Sequence, residues 1–161
     1  MKRSPELRRV VERMAPGVLA RDGFLGDDPR PLEEILDADR SAVAGLGTSH
    51  EELAGRLRDA FERARAGLGT AVCLEGGLSA VCRETMGRIP CPWGGCGVFP
   101  KGEVELTDAR VPRAGERSGE KLLFTALSVH LIAAHGFYQG RGSRYRLEPA
   151  VLARLFRLSP T

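Results

Sequence analysis

Two cysteines and two histidines constrain this 161-residue chain more than any other feature of its sequence. Cys91 and Cys96 are separated by four residues in a segment rich in proline and glycine, and His130 and His135 follow in an apolar segment. Thiolate and imidazole are the groups that bind Zn²⁺ in tetrahedral protein sites, and a glycine-rich loop lets two sulfur atoms turn toward one point. The pattern therefore predicts that these four residues bind one zinc ion.

The number of ligands indicates the kind of zinc site. A catalytic zinc ion keeps one coordination position open beside three protein ligands, whereas four protein ligands close the site. We therefore expect a structural ion. The pattern leaves two alternatives open, a redox-active pair of cysteines and the simple packing of these side chains in a core.

The spacing of the histidines requires a local change in the helix that carries them. Residues i and i+5 lie ~140° apart on a regular α-helix, so His130 and His135 would not share a face. Gly136 can adopt the left-handed conformation that ends many helices. We expect this residue to tighten the last turn and to bring His135 round toward His130.

Two cysteines followed by two helical histidines resemble a two-Cys/two-His zinc finger over residues 89–137. Phe99 lies near the place where such fingers keep an apolar core residue, and the resemblance implies a hairpin and a helix around a structural zinc ion. A finger has about a dozen residues between its two ligand pairs. Here residues 97–129 intervene, which we interpret as an enlarged hairpin over Glu103–Thr125. The chain is also similar to small uncharacterised bacterial zinc-binding proteins, a resemblance that implies no activity.

Hydrophobic periodicity predicts an α+β fold with two regions. Residues 1–69 contain three amphipathic helical segments, the third of which begins with a capping box of Ser49 and Glu52. Residues 70–161 form an α+β zinc-binding module, which can also pack as one domain with the helical region. Its predicted strands are Thr70–Glu75, Leu78–Arg83, Glu103–Thr107, Lys121–Thr125 and Arg144–Leu147. Its predicted helices are Leu127–His135 and Pro149–Leu158, and Asp108–Glu120 is a polar, turn-rich segment.

Composition excludes several classes of protein. Hydrophobic residues make up 42% of the chain and charged residues 28%, which is ordinary globular usage, and no apolar run is long enough to span a membrane. The N-terminal segment is charged and amphipathic, unlike a signal peptide. We therefore expect a cytoplasmic protein. Thiols stay reduced in the cytoplasm, so Cys73 and Cys82 fit buried core thiols better than a reversible disulfide.

The segment that follows His135 is the best candidate for a binding surface. Residues 136–161 carry five arginines against a single acid, Glu148, and interleave them with aromatic residues and glycines. Arginine can pair with phosphate and an aromatic ring can stack on a base. The predicted contacts to nucleic acid or another ligand are Tyr138, Arg141, Arg144, Tyr145 and Arg146. A glycine-rich turn with solvated arginines and packed aromatic rings is the slightly favoured alternative.

The sequence leaves the biological role open between three classes. The first is a non-catalytic zinc-binding protein that contacts nucleic acid through the basic segment, although the histidine helix offers almost no side chains suited to base edges. The second is a protein–protein adaptor or homodimer formed by the helical region, in which Ala42–Ala54 fits a plain pair of helices better than a helix-turn-helix. The third, a metal-dependent or thiol redox enzyme, is the least favoured because no nucleophile has an obvious paired base.

Overall fold

The computed structural model describes residues 4–108 and 121–158 as a mixed α+β protein, which confirms the predicted fold class. The helices are α1 (Pro5–Arg13), α2 (Leu32–Gly45), α3 (His50–Ala66), α4 (Ala126–His135) and α5 (Pro149–Leu155). The strands are β1 (Val72–Cys73), β2 (Leu78–Arg83), β3 (Arg88–Pro90), β4 (Val98–Pro100), β5 (Glu103–Asp108) and β6 (Lys121–Thr125). None of the described helices is long and apolar enough to cross a membrane.

The N-terminal helices begin where the sequence provides capping groups. The hydroxyl of Ser4 accepts a hydrogen bond from the backbone N–H of Leu7, and the hydroxyl of Ser49 accepts one from the backbone N–H of Glu52. These bonds satisfy N–H groups that have no partner inside the helix. The predicted start of α3 is thereby confirmed, and α1 begins with the same kind of cap.

The two predicted hairpins form one antiparallel sheet with the strand order β1-β2-β5-β6. β1 and β2 pair on either side of Gly76, and β5 pairs with β6 so that Val104 lies opposite Phe124. Buried and partly buried residues alternate along β2 and β5, as expected for a sheet with one buried face, and α3 packs against β2 and α4. Apart from Asp108, the predicted turn-rich segment Asp108–Glu120 lies outside the described residues.

A second, short strand pair frames the loop with the two cysteines, and the sequence did not predict it. β3 and β4 are each three residues long and pair so that Ile89 lies opposite Phe99. Both strands end in a proline, and strands this short show no period-two pattern. The pairing of Pro90 with Val98 holds the two ends of the loop 91–97 together. We call residues 91–97 the cysteine loop.

One predicted C-terminal element is wrong, and another is shorter than predicted. The segment Arg144–Leu147 is not a strand, because the backbone N–H of Arg146 donates to the carbonyl of Ser143 and closes a turn. The final helix ends at Leu155 instead of continuing to Leu158. Arg157 has a φ of 56°, so the backbone there is left-handed and cannot continue a right-handed helix.

The two cysteines outside the candidate metal site differ in their environment. Cys82 lies on β2, inside the sheet, and is buried as predicted. Cys73 is exposed, which contradicts the predicted burial, because it lies on the short edge strand β1. Both thiols are free, and in the strand register Cys73 lies opposite Ser79 whereas Cys82 lies opposite Val104.

Two clusters of buried side chains form the core of the described residues. The first lies between the sheet, α3 and α5 and includes Leu57 and Phe124. The second lies around α1, α2 and the cysteine loop and includes Met14 and Cys91. Both clusters draw side chains from either side of residue 69, so the helical region packs directly on the region that contains the candidate metal site.

Helix α4 contributes to both clusters. Val129 and Ile132 belong to the first cluster, and Leu127 and Leu131 belong to the second. A helix that is apolar around most of its circumference is typical of a buried position. Because α4 also carries both candidate histidines, the core itself positions that half of the site.

A buried ion pair ties the C-terminal segment to α2. The guanidinium of Arg146 donates to both carboxylate oxygens of Asp39 at 2.6 and 2.9 Å, and the two side chains are only 9% and 6% exposed. Arg146 also donates to the carbonyl of Gln139 and to the carboxylate of Glu148. The guanidinium therefore has three separate partners, and its charge is balanced inside the protein.

Replacing Arg146 with alanine should leave the buried carboxylate of Asp39 without a counter-charge. We expect the free energy of unfolding, measured by chemical denaturation, to fall by about 3–5 kcal/mol, the usual cost of removing one partner of a buried ion pair. The matched control is Arg40→Ala, because Arg40 and its partner Asp37 are 71% and 66% exposed. That substitution should cost less than about 1 kcal/mol. Similar small losses in both variants would contradict the role of the buried pair.

Candidate metal centre

The structure brings all four predicted ligands together. Cys91, Cys96, His130 and His135 each offer one donor atom, and these atoms lie within 4.8 Å of one another. Cys91 and His135 are 44 positions apart in the chain, so this proximity depends on the fold. The structure therefore confirms that the four residues form one cluster that could hold a metal ion.

The cysteine loop turns back on itself directly after its first cysteine. Gly94 donates its backbone N–H to the carbonyl of Cys91 and has a φ of 79°, a conformation that residues with a side chain rarely adopt. The backbone N–H groups of Trp93 and Gly94 also act on the side chain of Cys91 and lower the pKa of its thiol. Donors of this kind stabilise the thiolate, which is the form of cysteine that binds metals.

The end of α4 carries His135 to the two sulfur atoms. Gly136 has a φ of 61° and a ψ of 29°, which is the left-handed conformation predicted for it. The N–H group of Gly136 donates to the carbonyl of Ile132, four residues earlier in the chain. The N–H group of Phe137 donates to the carbonyl of Leu131, six residues earlier. The prediction of a tightened last turn is therefore wrong, because the last bond of α4 keeps the i→i−4 spacing of a regular α-helix. His135 nevertheless lies beside His130, with ring centroids 5.3 Å apart.

The distances around His135 fit a tetrahedral zinc ion. The Nε2 atom of His135 lies 3.4 Å from the Sγ atom of Cys91 and 3.8 Å from the Sγ atom of Cys96. Zn–S bonds of about 2.3 Å and Zn–N bonds of about 2.0–2.1 Å at the tetrahedral angle separate sulfur from nitrogen by about 3.6 Å. Both distances lie close to this value, one on each side of it.

The second histidine has a buried nitrogen that the protein leaves unpaired. The Nε2 atom of His130 is buried and has no hydrogen-bond partner among the described residues. Leaving a polar atom buried without a partner destabilises the folded state, so native proteins seldom do so. A metal ion between the four side chains would provide the missing partner.

The electrostatic environment favours the neutral forms of Cys91, His130 and His135. Burial raises the pKa of the Cys91 thiol above its ordinary value, and the N–H groups of Trp93 and Gly94 only partly oppose this. Burial also lowers the pKa of His130 and of His135, and for His135 the charge of His130 lowers it further. Both imidazoles are therefore neutral at neutral pH, with a lone pair available to a cation. A bound cation would displace the thiol proton.

Aromatic rings hold both imidazoles in position. The indole of Trp93 stacks on His135 with ring centroids 4.1 Å apart and planes 6° apart, and Phe99 lies against His130 with centroids 4.6 Å apart. The edge of Phe137 meets Trp93. No sequence pattern indicated a role for Trp93. The available signal was its position, because it is the only tryptophan of the chain and lies between the two cysteines.

Two of the predicted contact residues of the basic segment are held in the protein interior. Tyr138 is 1% exposed, and its hydroxyl lies 2.7 Å from the Nδ1 atom of His50. Arg146 is paired with Asp39. His50 and Asp39 lie 88 and 107 positions before their partners, so no local sequence pattern connects them.

The other three predicted contact residues lie nearer the surface. Arg144 and Tyr145 both donate to the carboxylate of Glu103. Arg141 is exposed, and its backbone N–H donates to the carboxylate of Asp28. Contact of this segment with nucleic acid stays a prediction, and it now depends mainly on Arg141 and Arg144, whose side chains remain exposed.

Comparison with protein-family models, with curated proteins and with solved structures finds no match to this chain. The likeness of residues 89–137 to a zinc finger therefore remains a resemblance in ligand pattern. What the structure supports directly is the cluster of two cysteines and two histidines. Its role has to be argued from its own geometry.

Replacing Gly136 with alanine should destabilise the protein. A side chain in the left-handed conformation costs about 1–2 kcal/mol, and a Cβ atom at this position would also lie 2.8 Å from the Nε2 atom of His50. We expect the free energy of unfolding to fall by at least about 1 kcal/mol. The matched control is Gly55→Ala within α3, where a Cβ atom meets nothing within 4 Å. Alanine is the better helix former there, so this control should gain about 0.5–1 kcal/mol.

Denaturation curves of the two variants and the parent, measured side by side, test whether the left-handed conformation of Gly136 stabilises the protein. A Gly136→Ala protein as stable as its parent would show that the end of α4 does not need the left-handed residue. Loss of stability in Gly55→Ala as well would show that the helix packing, not the backbone conformation, explains the result.

Proposed function

We propose that Cys91, Cys96, His130 and His135 bind one Zn²⁺ ion in a closed structural site, and that the chain is a non-catalytic zinc-binding protein. The observation that carries the proposal is the convergence of four donor atoms within 4.8 Å of one another. Two thiolates and two imidazoles are a ligand set typical of structural zinc. The unpaired Nε2 atom of His130 and the spacing around His135 support the same assignment.

The proposed role is structural because the protein provides a complete set of ligands. Four protein donors occupy all positions of a tetrahedral ion and leave none for water or substrate. Cys91 is 1% exposed, and the rings of Trp93 and Phe99 cover the two imidazoles. A closed and partly buried centre favours a stabilising ion over a catalytic one.

The ion would join three parts of the chain. It would connect the cysteine loop to α4, and the loop is itself connected to α1, because the side chain of Arg13 donates a hydrogen bond to the carbonyl of Pro92. Cys91 and Cys96 also pack within the second core cluster. Binding of zinc to such a site contributes directly to the free energy of folding. We infer that the ion holds the second cluster together.

The position of α4 argues against the DNA-reading role of a zinc finger. The helix of a finger enters the major groove and presents exposed side chains to the bases. Most of α4 is instead part of the core, and its exposed residues include Ala133 and Ala134. Alanine offers no hydrogen bonds to base edges. We therefore propose a zinc-stabilised module whose helix faces the protein interior.

The purified protein should contain one equivalent of zinc, and Cys91→Ser and His135→Ala should each lose most of it. Each substitution removes one of four ligands, so the affinity for the ion falls. Elemental analysis after extensive dialysis measures the metal content. The matched control is Cys73→Ser, because Cys73 is a free and exposed thiol outside the cluster. This control should keep the full metal content, and a parent protein that is stably folded without metal would overturn the proposal.

Thiol reactivity should depend on the metal. In the zinc-loaded protein a thiol reagent should modify the exposed Cys73 quickly, whereas Cys91 and Cys96 should react only after a chelator has removed the ion. The fluorescence of Trp93 should change at the same time, because the only tryptophan of the chain stacks on His135. Mass spectrometry of the modified peptides identifies each thiol.

The same experiment distinguishes the redox alternative. Equal reaction rates of Cys91 and Cys96 with and without chelator would contradict zinc coordination. Formation of a disulfide between them in untreated protein under mild oxidation would favour a redox pair instead. The Cys73→Ser variant removes the background signal of the exposed thiol in both cases.

A further inference from the structure

A cavity lies at the opposite end of α4 from the metal centre. Its volume is about 360 Å³, within the range of small-molecule sites in proteins. It is bounded by the loop 20–24, by the beginnings of β5 and α4, and by residues of the basic segment. Nothing in the proposed zinc site requires this cavity.

A buried glutamine forms one wall of the cavity. Gln139 is 3% exposed, and its backbone has a φ of 68°, a strained conformation for a residue other than glycine. Its Oε1 atom accepts a hydrogen bond from the hydroxyl of Ser143 at 2.5 Å. Its amide nitrogen has no partner among the described residues. The backbone conformation at Gln139 would be less strained for glycine, which is frequent in this segment. The protein keeps a glutamine there instead, and its amide nitrogen remains available as a hydrogen-bond donor at the cavity.

The N-terminus of α4 provides a further donor at the same cavity. Thr125 and Leu127 line it, and a capping box of Thr125 and Ser128 occupies the N–H of Ser128. The N–H group of Leu127, which lines the cavity, has no partner within the helix. The first turn of a helix carries a partial positive charge, so this group favours an anion.

The charged side chains around the cavity have a positive balance. Arg21, Lys101 and Arg144 line it, together with the acids Asp22 and Glu103. The carboxylate of Glu103 already accepts hydrogen bonds from Arg144 and from the hydroxyl of Tyr145. The cations that remain can therefore pair with a ligand.

The rest of the lining is apolar. Phe24 and Leu127 are buried, Ile89 is partly buried, and all three border the cavity. A ligand bound here would place an apolar body on these side chains and its charged group among the donors. A small hydrated inorganic ion would leave the apolar side chains uncovered.

We propose that this cavity is a binding site for a small organic carboxylate with a compact apolar body. The carboxylate accepts hydrogen bonds from the amide of Gln139 and from the N–H group of Leu127, and Arg21 and Lys101 pair with its charge. The apolar body lies against Phe24 and its neighbours. This site is separate from the zinc site and does not depend on the proposed structural role of the ion.

Titration of the purified full-length protein with benzoate, phenylacetate and hexanoate tests the proposal. Saturable changes are expected in the backbone amide resonances of Leu127 and Gln139, at lower concentration than with the neutral benzamide. The preference for the acid should be about tenfold, as for one hydrogen bond to a charged group. No saturable binding of any of the three acids, or equal binding of benzamide, would overturn the proposal. Equal binding of inorganic phosphate would do the same, because the apolar wall would then play no part.

Variants connect the binding to the named side chains. Arg21→Gln combined with Lys101→Gln should weaken benzoate binding about tenfold, whereas Arg58→Gln on an exposed face of α3 should leave it unchanged. Gln139→Asn keeps a residue that tolerates positive φ but shortens the side chain, so it should weaken binding while the protein stays folded. Unchanged affinity in both the double variant and Gln139→Asn would show that the ligand binds elsewhere.

Discussion

The burial of α4 is the interaction on which the rest of this structure depends. Its side chains pack into both core clusters, with Val129 and Ile132 on one side and Leu127 and Leu131 on the other. Removing apolar area from water is the main favourable term in folding, and this helix lies where the two clusters meet. Its two ends are thereby held in place, and the candidate metal centre is built on one of them.

The candidate metal centre depends on this rigid support and on the cysteine loop. The core determines where α4 ends, and the left-handed Gly136 then ends the helix with His135 next to the two cysteines of the loop. The loop packs Cys91 and Trp93 into the second cluster and is held by the β3–β4 pair and by Arg13. Rings of Trp93 and Phe99 restrict the imidazoles before any ion binds. Such preorganisation lowers the entropy lost when ligands are ordered around a metal.

The sequence of the segment after α4 fits both a nucleic-acid contact and a glycine-rich turn, and the partners of its side chains distinguish the two. Tyr138 bonds to His50 at the start of α3, and Arg146 pairs with Asp39 on α2, so much of the basic segment connects the C-terminal region to the helical region. Gly140 donates its N–H to the carbonyl of Phe24, where the two backbones approach closely. These contacts support the glycine-rich turn as the main role of the segment, although Arg141 and Arg144 stay exposed.

Local features of the sequence determined the helix starts at Ser4 and Ser49, the two strand pairs of the main sheet and the four candidate metal ligands. Caps, periodicity and ligand chemistry act between neighbours in the chain or through residue type. Only the tertiary structure decided which polar side chains are buried, since an arginine such as Arg146 looks the same in sequence whether it meets water or Asp39. It also decided the β3–β4 pairing, the support of His135 by Trp93 and the cavity beside α4. These depend on side chains brought together from distant positions, and their energies exist only once the chain has packed.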